Sequence, residues 1–282
     1  MPEGPEIRRA ADSIAAALVG KRVVVRFAFP ELQAVEPLLH LRRVLSVTAR
    51  GKAMLIGFEP VGEHTITIYS HNQLYGEWQI VSREEYALLL ATGSSRQVRL
   101  ALFAEEQAAL LYSASEIAVL EGEAVASHPY IARLGLDLLD ATVDASAVRA
   151  HLDSPRFAGR NIAALLLDQR FFAGIGNYLR SEILFGAGLS PHLVLGALKD
   201  EQRNALAAAA LDMAWQSYRT GGVTIAPELA ARLQARGWSY RRYRHWVFDR
   251  GGQDCHRCGE PIVRTTWTGR SLFLCSHCQQ PG

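Results

Sequence analysis

All four cysteines of the chain stand near its C-terminal end, in the pattern Cys255-x2-Cys258-x16-Cys275-x2-Cys278. Two close pairs separated by roughly 15 to 20 residues are a zinc signature. Four thiolates close a tetrahedron and leave no position for substrate, so one structural zinc ion is expected there. The tail is too short to bury a core of its own, and zinc binding worth about 10–16 kcal/mol offsets that deficit. Two disulfides are the alternative, disfavoured in a reducing compartment. His256 and His277 stand beside the cysteines as spare donors. Between the pairs, Ile262 to Leu274 gives two β-prone runs around Thr268-Gly269-Arg270, a hairpin with Arg270 at its tip. A guanidinium held there can grip a phosphate bidentately, or serve as an ordinary turn residue.

The rest of the 282 residues is long enough for two further domains. With 49% hydrophobic and 21% charged residues, the composition is that of a globular protein. No apolar run approaches the ~20 residues of a membrane span. The chain opens on acids and a helix pattern rather than a basic and apolar leader, so a cytoplasmic location and no membrane partner are expected. Net charge is only +2, yet Arg232 to Arg270 holds nine arginines against Asp249, Asp254 and Glu260. Trp238, Tyr240, Tyr243, Trp246 and Phe248 are interleaved with them. Such a stretch is either a footprint for a polyanion or a solvated basic face.

Taken in order, Ile7, Ala10, Ala11, Ile14, Ala17 and Leu18 recur at helical spacing, bounded by Pro5 and Gly20. Short β-runs follow at 23–29, 44–49, 53–58, 65–69, 75–81, 97–103 and 108–113, broken by turn residues. Repeated strands without long helices between them imply an antiparallel β-sandwich or barrel. From Val143 the pattern is helical, at 143–152, 161–170, 178–187 and 199–218, with short connections suited to a bundle. Gly222–Arg250 is poorly periodic and reads as a long loop. There is no internal repeat or low-complexity segment. The expected domains are 1–125, 126–222 and 251–282, with 223–250 as linker.

Four stretches carry candidate chemistry. In Met1-Pro2-Glu3-Gly4-Pro5-Glu6, loss of Met1 would leave Pro2 with a secondary α-amine. Such an amine attacks an aldehyde-level carbon to give an iminium with no N–H to lose, a lasting electron sink. The adjacent helix N-terminus disfavours the ammonium form, and Glu3 can move protons. A frayed terminus is the bland alternative. Arg50-Gly51-Lys52 reads as a hairpin turn, and Arg133 stands at the expected domain junction. Tyr69-Ser70-His71-Asn72-Gln73-Leu74-Tyr75-Gly76 is a polar loop whose Leu74 and Tyr75 either project as a wedge or enter the core. In Gly174-Ile175-Gly176-Asn177, the glycines allow a tight turn and Asn177 suits an N-cap, offering backbone amides to a phosphate or joining two helices.

Together these motifs resemble the bacterial formamidopyrimidine-DNA glycosylase and endonuclease VIII family, most closely its endonuclease VIII branch. The opening hexapeptide, the Ser70–Gly76 loop, Gly174–Glu182 and the four-cysteine finger with Arg270 stand in the family's order and span the chain. The resemblance implies an α+β multidomain protein. Its parts are an N-terminal antiparallel β-sandwich, a helix–two-turn–helix domain and a C-terminal zinc finger, with double-stranded damaged DNA in the cleft between the halves. It implies a monomeric bifunctional glycosylase and abasic-site lyase for oxidised pyrimidines. Pro2 would be the nucleophile at C1′, Glu3 a proton donor, Lys52 the proton donor for β-elimination, and Arg270 the phosphate-binding residue tied to δ-elimination. Gln73, Leu74 and Tyr75 look like the wedge, and Arg133 and Asn177 match DNA contacts. A purine-directed sibling for 8-oxoguanine and formamidopyrimidines is the nearest alternative. Gly4 and the Gln-Leu-Tyr loop favour the pyrimidine branch. A zinc-containing DNA-binding protein without catalysis would have no use for Pro2, Glu3 and Lys52.

Overall fold

Short β-prone runs from Arg22 onward form the expected strands in a computed structural model that describes residues 2–92, 97–267 and 269–280. Met1 of the opening motif and Thr268 of the hairpin tip lie outside those residues. The chain divides into two compact units: Pro2 with Ile7–Arg133, and Glu3–Glu6 with the residues from Leu134 onward.

The first unit is an antiparallel sheet of eight strands: β1 (Arg22–Phe27), β2 (Arg42–Arg50), β3 (Ala53–Val61), β4 (His64–His71), β5 (Glu77–Ser82), β6 (Val98–Phe103), β7 (Gln107–Tyr112) and β8 (Glu116–Glu121). Their order is β5-β7-β6-β1-β2-β3-β4-β8. β1 joins two four-stranded halves, since Arg22 and Val23 pair with β2 whereas Val24 to Phe27 pair with β6. Val44, Ile56 and Ile68 from one half and Leu100, Leu111 and Trp78 from the other share one core. Helix α1 (Gly4–Leu18) adds Ile7, Ala11, Ile14 and Leu18, the residues at helical spacing, to that core.

Helix α2 (Arg83–Thr92) and strand β8 are not apparent from the sequence pattern. The α2 start carries a capping box: Ser82 N–H donates to Glu85 Oε2 at 2.7 Å, and Glu85 N–H to Ser82 Oγ at 3.1 Å. Its Tyr86 and Leu89 cover the outer face of β5, β6 and β7. In β8 nearly every side chain is half-buried, so it shows no alternation.

The second unit is helical, with α3 (Ala145–Leu152), α4 (Asn177–Gly186) and α5 (Asp200–Thr220) around one core. The helix expected over 161–170 reduces to the single turn Ile162–Leu165. Asn161 caps that turn, and Asp168 accepts the Arg170 N–H at 2.9 Å, so polar side chains divert the backbone from continuing. Gly222–Arg250 is likewise no featureless loop. It holds helices α6 (Pro227–Ala235) and α7 (Tyr240–Tyr243), packed around Val223, Ile225, Leu233 and Tyr243. Its exit is fixed by buried Glu182, whose carboxylate accepts the N–H groups of Trp246, Val247 and Phe248 at 2.8, 2.9 and 2.9 Å. Strands β9 (Val263–Trp267) and β10 (Arg270–Leu274) form the C-terminal hairpin, with Trp267 opposite Arg270. The hairpin and cysteines share a small core with Phe185 of α4 and Val247.

Candidate active site and nucleic-acid contacts

In the second unit the turn Gly174-Ile175-Gly176 wraps the Glu3 carboxylate. Gly4 N–H donates to the Gly174 carbonyl at 2.8 Å, bringing the opening segment against the turn. Glu3 is 3% exposed, and its carboxylate accepts N–H bonds from Gly176 at 2.7 Å, Tyr178 at 2.9 Å and Leu179 at 3.3 Å. A Cβ on Gly176 would stand 2.4 Å from the Glu3 carboxyl carbon, so only glycine permits this approach. The positive end of α4 is thus directed at a carboxylate. The amides that the sequence pattern offers to a phosphate are taken by Glu3, a correction that follows from the closeness of the opening segment.

A second carboxylate supports the first. Glu6 accepts the Glu3 N–H at 2.9 Å and the Tyr178 hydroxyl at 2.9 Å, and Tyr178 also shares a 2.8 Å hydrogen bond with Ser217. Burial pushes the Glu6 carboxyl above the usual carboxylate range, against the opposing hydrogen bonds. Burial, reinforced by Glu6, holds Tyr178 well above an ordinary phenol. Glu6 belongs to the opening motif, but its partner Tyr178, and Ser217 behind that hydroxyl, leave no local signal.

Asn177 is not the N-cap expected from sequence. Gly176 occupies that position, and the Asn177 amide turns to the C-terminal hairpin, donating to the Ser271 carbonyl at 2.8 Å. Arg180, fully buried one turn later, donates to Asn177 Oδ1 at 2.6 Å and to the same carbonyl at 3.1 Å. Burial and then Arg270 push the Arg180 guanidinium down to about 10. Asn177 therefore adjoins the start of β10, where Arg270 is exposed.

The Sγ atoms of Cys255, Cys258, Cys275 and Cys278 lie within 4.8 Å of one another. The Cys258–Cys275 and Cys255–Cys278 separations are 3.4 and 3.9 Å, too long for disulfides. A tetrahedral ion with sulfur ligands at ~2.3 Å needs edges near ~3.8 Å, so the four residues fit a metal ion. The preceding basic stretch is partly structural. Arg242 stacks on Trp238 at 3.9 Å, Arg257 on Phe185 at 4.3 Å, and Arg250 is buried.

In the first unit, Lys52 sits in the β2–β3 turn, where Arg50 pairs with Ala53 and Gly51 takes a φ of +59°. Its N–H donates to the Tyr130 hydroxyl at 2.9 Å, and Arg133 lies over the Tyr130 ring at 5.8 Å. Leu74 and Tyr75 are 55% and 74% exposed, so they project rather than enter the core. Gly76 N–H donates to the Asn72 carbonyl at 2.7 Å, closing the loop beneath them. Gln73 Nε2 donates to Glu116 at 2.7 Å, and Gln73 N–H to His71 Nδ1 at 3.1 Å. Burial, then Lys52, lowers the His71 pKa despite Glu116. Pro2, counted with this unit, is half-buried.

Residues 1–114 match the model of the formamidopyrimidine-DNA glycosylase N-terminal domain, and residues 134–227 that of its H2TH domain. The chain is 44% identical over 280 residues to a protein named Endonuclease 8 from Klebsiella pneumoniae subsp. pneumoniae, covering 99% of this chain and all of the relative. It is 43% identical over 281 residues to an Endonuclease 8 from Enterobacter sp., with the same coverage. Among solved structures it resembles Lactococcus lactis Fpg (MutM) in complex with N7-benzyl-Fapy-dG DNA. There the TM-score is 0.78 at 18% identity, over 99% of this chain and 100% of that one. No helix among the described residues is long and apolar enough to cross a membrane.

Proposed function

The chain belongs to the formamidopyrimidine-DNA glycosylase family, and on that premise we propose a base-excision DNA glycosylase and abasic-site lyase directed at oxidised pyrimidines. The observation that carries this reading is the Glu3 carboxylate, buried and held by three backbone amides immediately after Pro2. With Met1 removed, the Pro2 nitrogen attacks C1′ of the damaged nucleotide, the C1′–base bond breaks, and the base leaves with a proton. Glu3, fixed beside the nucleophile, takes up the proton that the Pro2 nitrogen loses on attack and donates it to the sugar O4′ as the ring opens, while the departing base takes its proton from solvent. The resulting iminium acidifies C2′. Loss of that proton expels the 3′ phosphate, and a second elimination expels the 5′ phosphate. Lys52 serves the first elimination as proton donor, and Arg270 binds phosphate during the second.

Arg133 and Asn177 contact the DNA backbone, and Gln73, Leu74 and Tyr75 fill the space left by the extruded nucleotide. Their outward projection supports that role, since stacking is worth about 1–3 kcal/mol per base against an extrusion cost of a few. Cys255, Cys258, Cys275 and Cys278 would hold one structural zinc ion, which supplies folding energy to the hairpin bearing Arg270. The protein acts as a cytoplasmic monomer on double-stranded DNA. The relatives named Endonuclease 8 support the pyrimidine branch over the purine one.

The test is a lesion panel combined with borohydride trapping. Excision of 5-hydroxyuracil or thymine glycol should exceed that of 8-oxoguanine, with a covalent adduct at Pro2. A strong purine preference would reverse the substrate assignment, and an adduct on a lysine would remove the mechanism.

A further inference from the structure

We propose that Glu116 is the positioning residue of the exposed loop, orienting the Gln73 amide so that its carbonyl oxygen meets an N–H donor on a base of the DNA. The inference rests on reading Gln73–Tyr75 as the wedge. Glu116 stands opposite His71 across β8 and β4, and Tyr69 lies two residues back on the same face of β4. Its two oxygens have separate duties: Oε1 accepts the Tyr69 hydroxyl at 3.1 Å, and Oε2 accepts Gln73 Nε2 at 2.7 Å. An ionised carboxylate has no proton to donate, so it selects the –NH2 end of the glutamine amide. The carbonyl end is left to face outward as an acceptor. Tyr69 is buried, and burial followed by Glu116 raises its pKa, which keeps the phenol a donor to the carboxylate.

The backbone is held in the same sense. Gln73 adopts a φ of +53°, sparsely populated for a non-glycine residue, and its N–H is received by the unprotonated Nδ1 of His71. A Cβ on Gly76 would lie 2.5 Å from the Asn72 carbonyl oxygen, so the loop closes only with glycine there. A loop fixed at both its backbone and its amide loses little further freedom when it engages DNA. Nothing in the family resemblance assigned Glu116, which stands 43 residues from Gln73 in the chain.

The experiment compares E116A, near-isosteric E116Q, Q73A and the E116A/Q73A pair in zinc-loaded full-length protein. One substrate is duplex DNA with a single oxidised pyrimidine, the other single-stranded DNA with a single abasic site. E116A, E116Q and Q73A should each slow duplex excision about tenfold, with the double variant no slower than Q73A alone. Cleavage of the single-stranded abasic substrate, which needs no wedge, should be unchanged in E116A and E116Q. Additive losses in the double variant, or equal losses on both substrates, would overturn the role of Glu116. A Q73A protein with unimpaired duplex excision would instead sink the wedge reading beneath it.

Discussion

The Tyr178 amide donates to the Glu3 carboxylate at 2.9 Å across 175 residues of chain. The residue next to the proposed nucleophile is therefore placed by the backbone of a distant turn rather than by its own neighbours. Gly176 and Leu179 complete the cradle, and Glu6 holds the Glu3 N–H from behind. Orientation of this kind counts heavily in catalysis, because a misplacement of about 1 Å can cost ~100-fold in rate.

Replacing Gly176 with alanine tests the cradle directly. The added Cβ would overlap the Glu3 carboxyl group at 2.4 Å, so Glu3 must move. G176A should lose about 100-fold or more in single-turnover excision. Its circular dichroism should stay close to that of the parent. Excision within a few-fold of the parent would show that the position of Glu3 is not critical.

An uncleaved N-terminal extension tests the nucleophile. It keeps the Pro2 nitrogen in an amide, which has no available lone pair for attack. Strand cleavage and borohydride trapping should vanish, while affinity for abasic DNA in a gel-shift assay changes little. Full cleavage by the extended protein would move the nucleophile to another residue.

Much of this arrangement was legible in the sequence where local pattern dictates local structure. The apolar spacing of α1, the Gly51 turn and the cysteine pairs all reappear as elements or clusters. Asn177 and Glu116 mark the limit. Asn177 has the residue type of an N-cap, yet its amide goes to Ser271, 94 residues on. Glu116 sits in a strand without alternation and acquires a partner only when β8 lies beside β4. Long-range hydrogen bonds leave no periodicity to read. The glycine pair at Gly174 and Gly176 signalled a tight turn, but not the Glu3 carboxylate that closes on it.

Removing the metal should release the C-terminal hairpin selectively. Its small core is shared with Phe185 and Val247, too little apolar surface to hold the cysteines without an ion. Chelation should release one zinc per chain and free the Ser271 carbonyl from Asn177 and Arg180. DNA affinity should then weaken, and the log–log salt slope should shrink by about 0.9 for each phosphate the finger no longer neutralises. Unchanged affinity and slope after complete zinc release would separate the finger from DNA binding.

Acid should destabilise the protein through His245. That residue is 2% exposed and stacks on Tyr178 with centroids 5.2 Å apart and planes 12° apart. Burial, then the charge of Arg244, pushes its pKa down to about 3. The unfolded chain therefore binds this proton first as pH falls. The contribution is fully present above the ordinary histidine value near ~6.5 and is lost progressively towards the folded value. Between pH 7 and pH 5 the expected loss from this residue is about 2 kcal/mol. His71, His151 and His256 have lowered values too, so they act in the same direction. Urea midpoints at the two pH values, taken for the parent and for H245F, isolate the one contribution. H245F forfeits any hydrogen bond of the imidazole and will be less stable at pH 7, but its loss on acidification should be about 2 kcal/mol smaller. Equal acid sensitivity in the two proteins would mean that His245 either stays protonated when folded or is solvated before the chain unfolds.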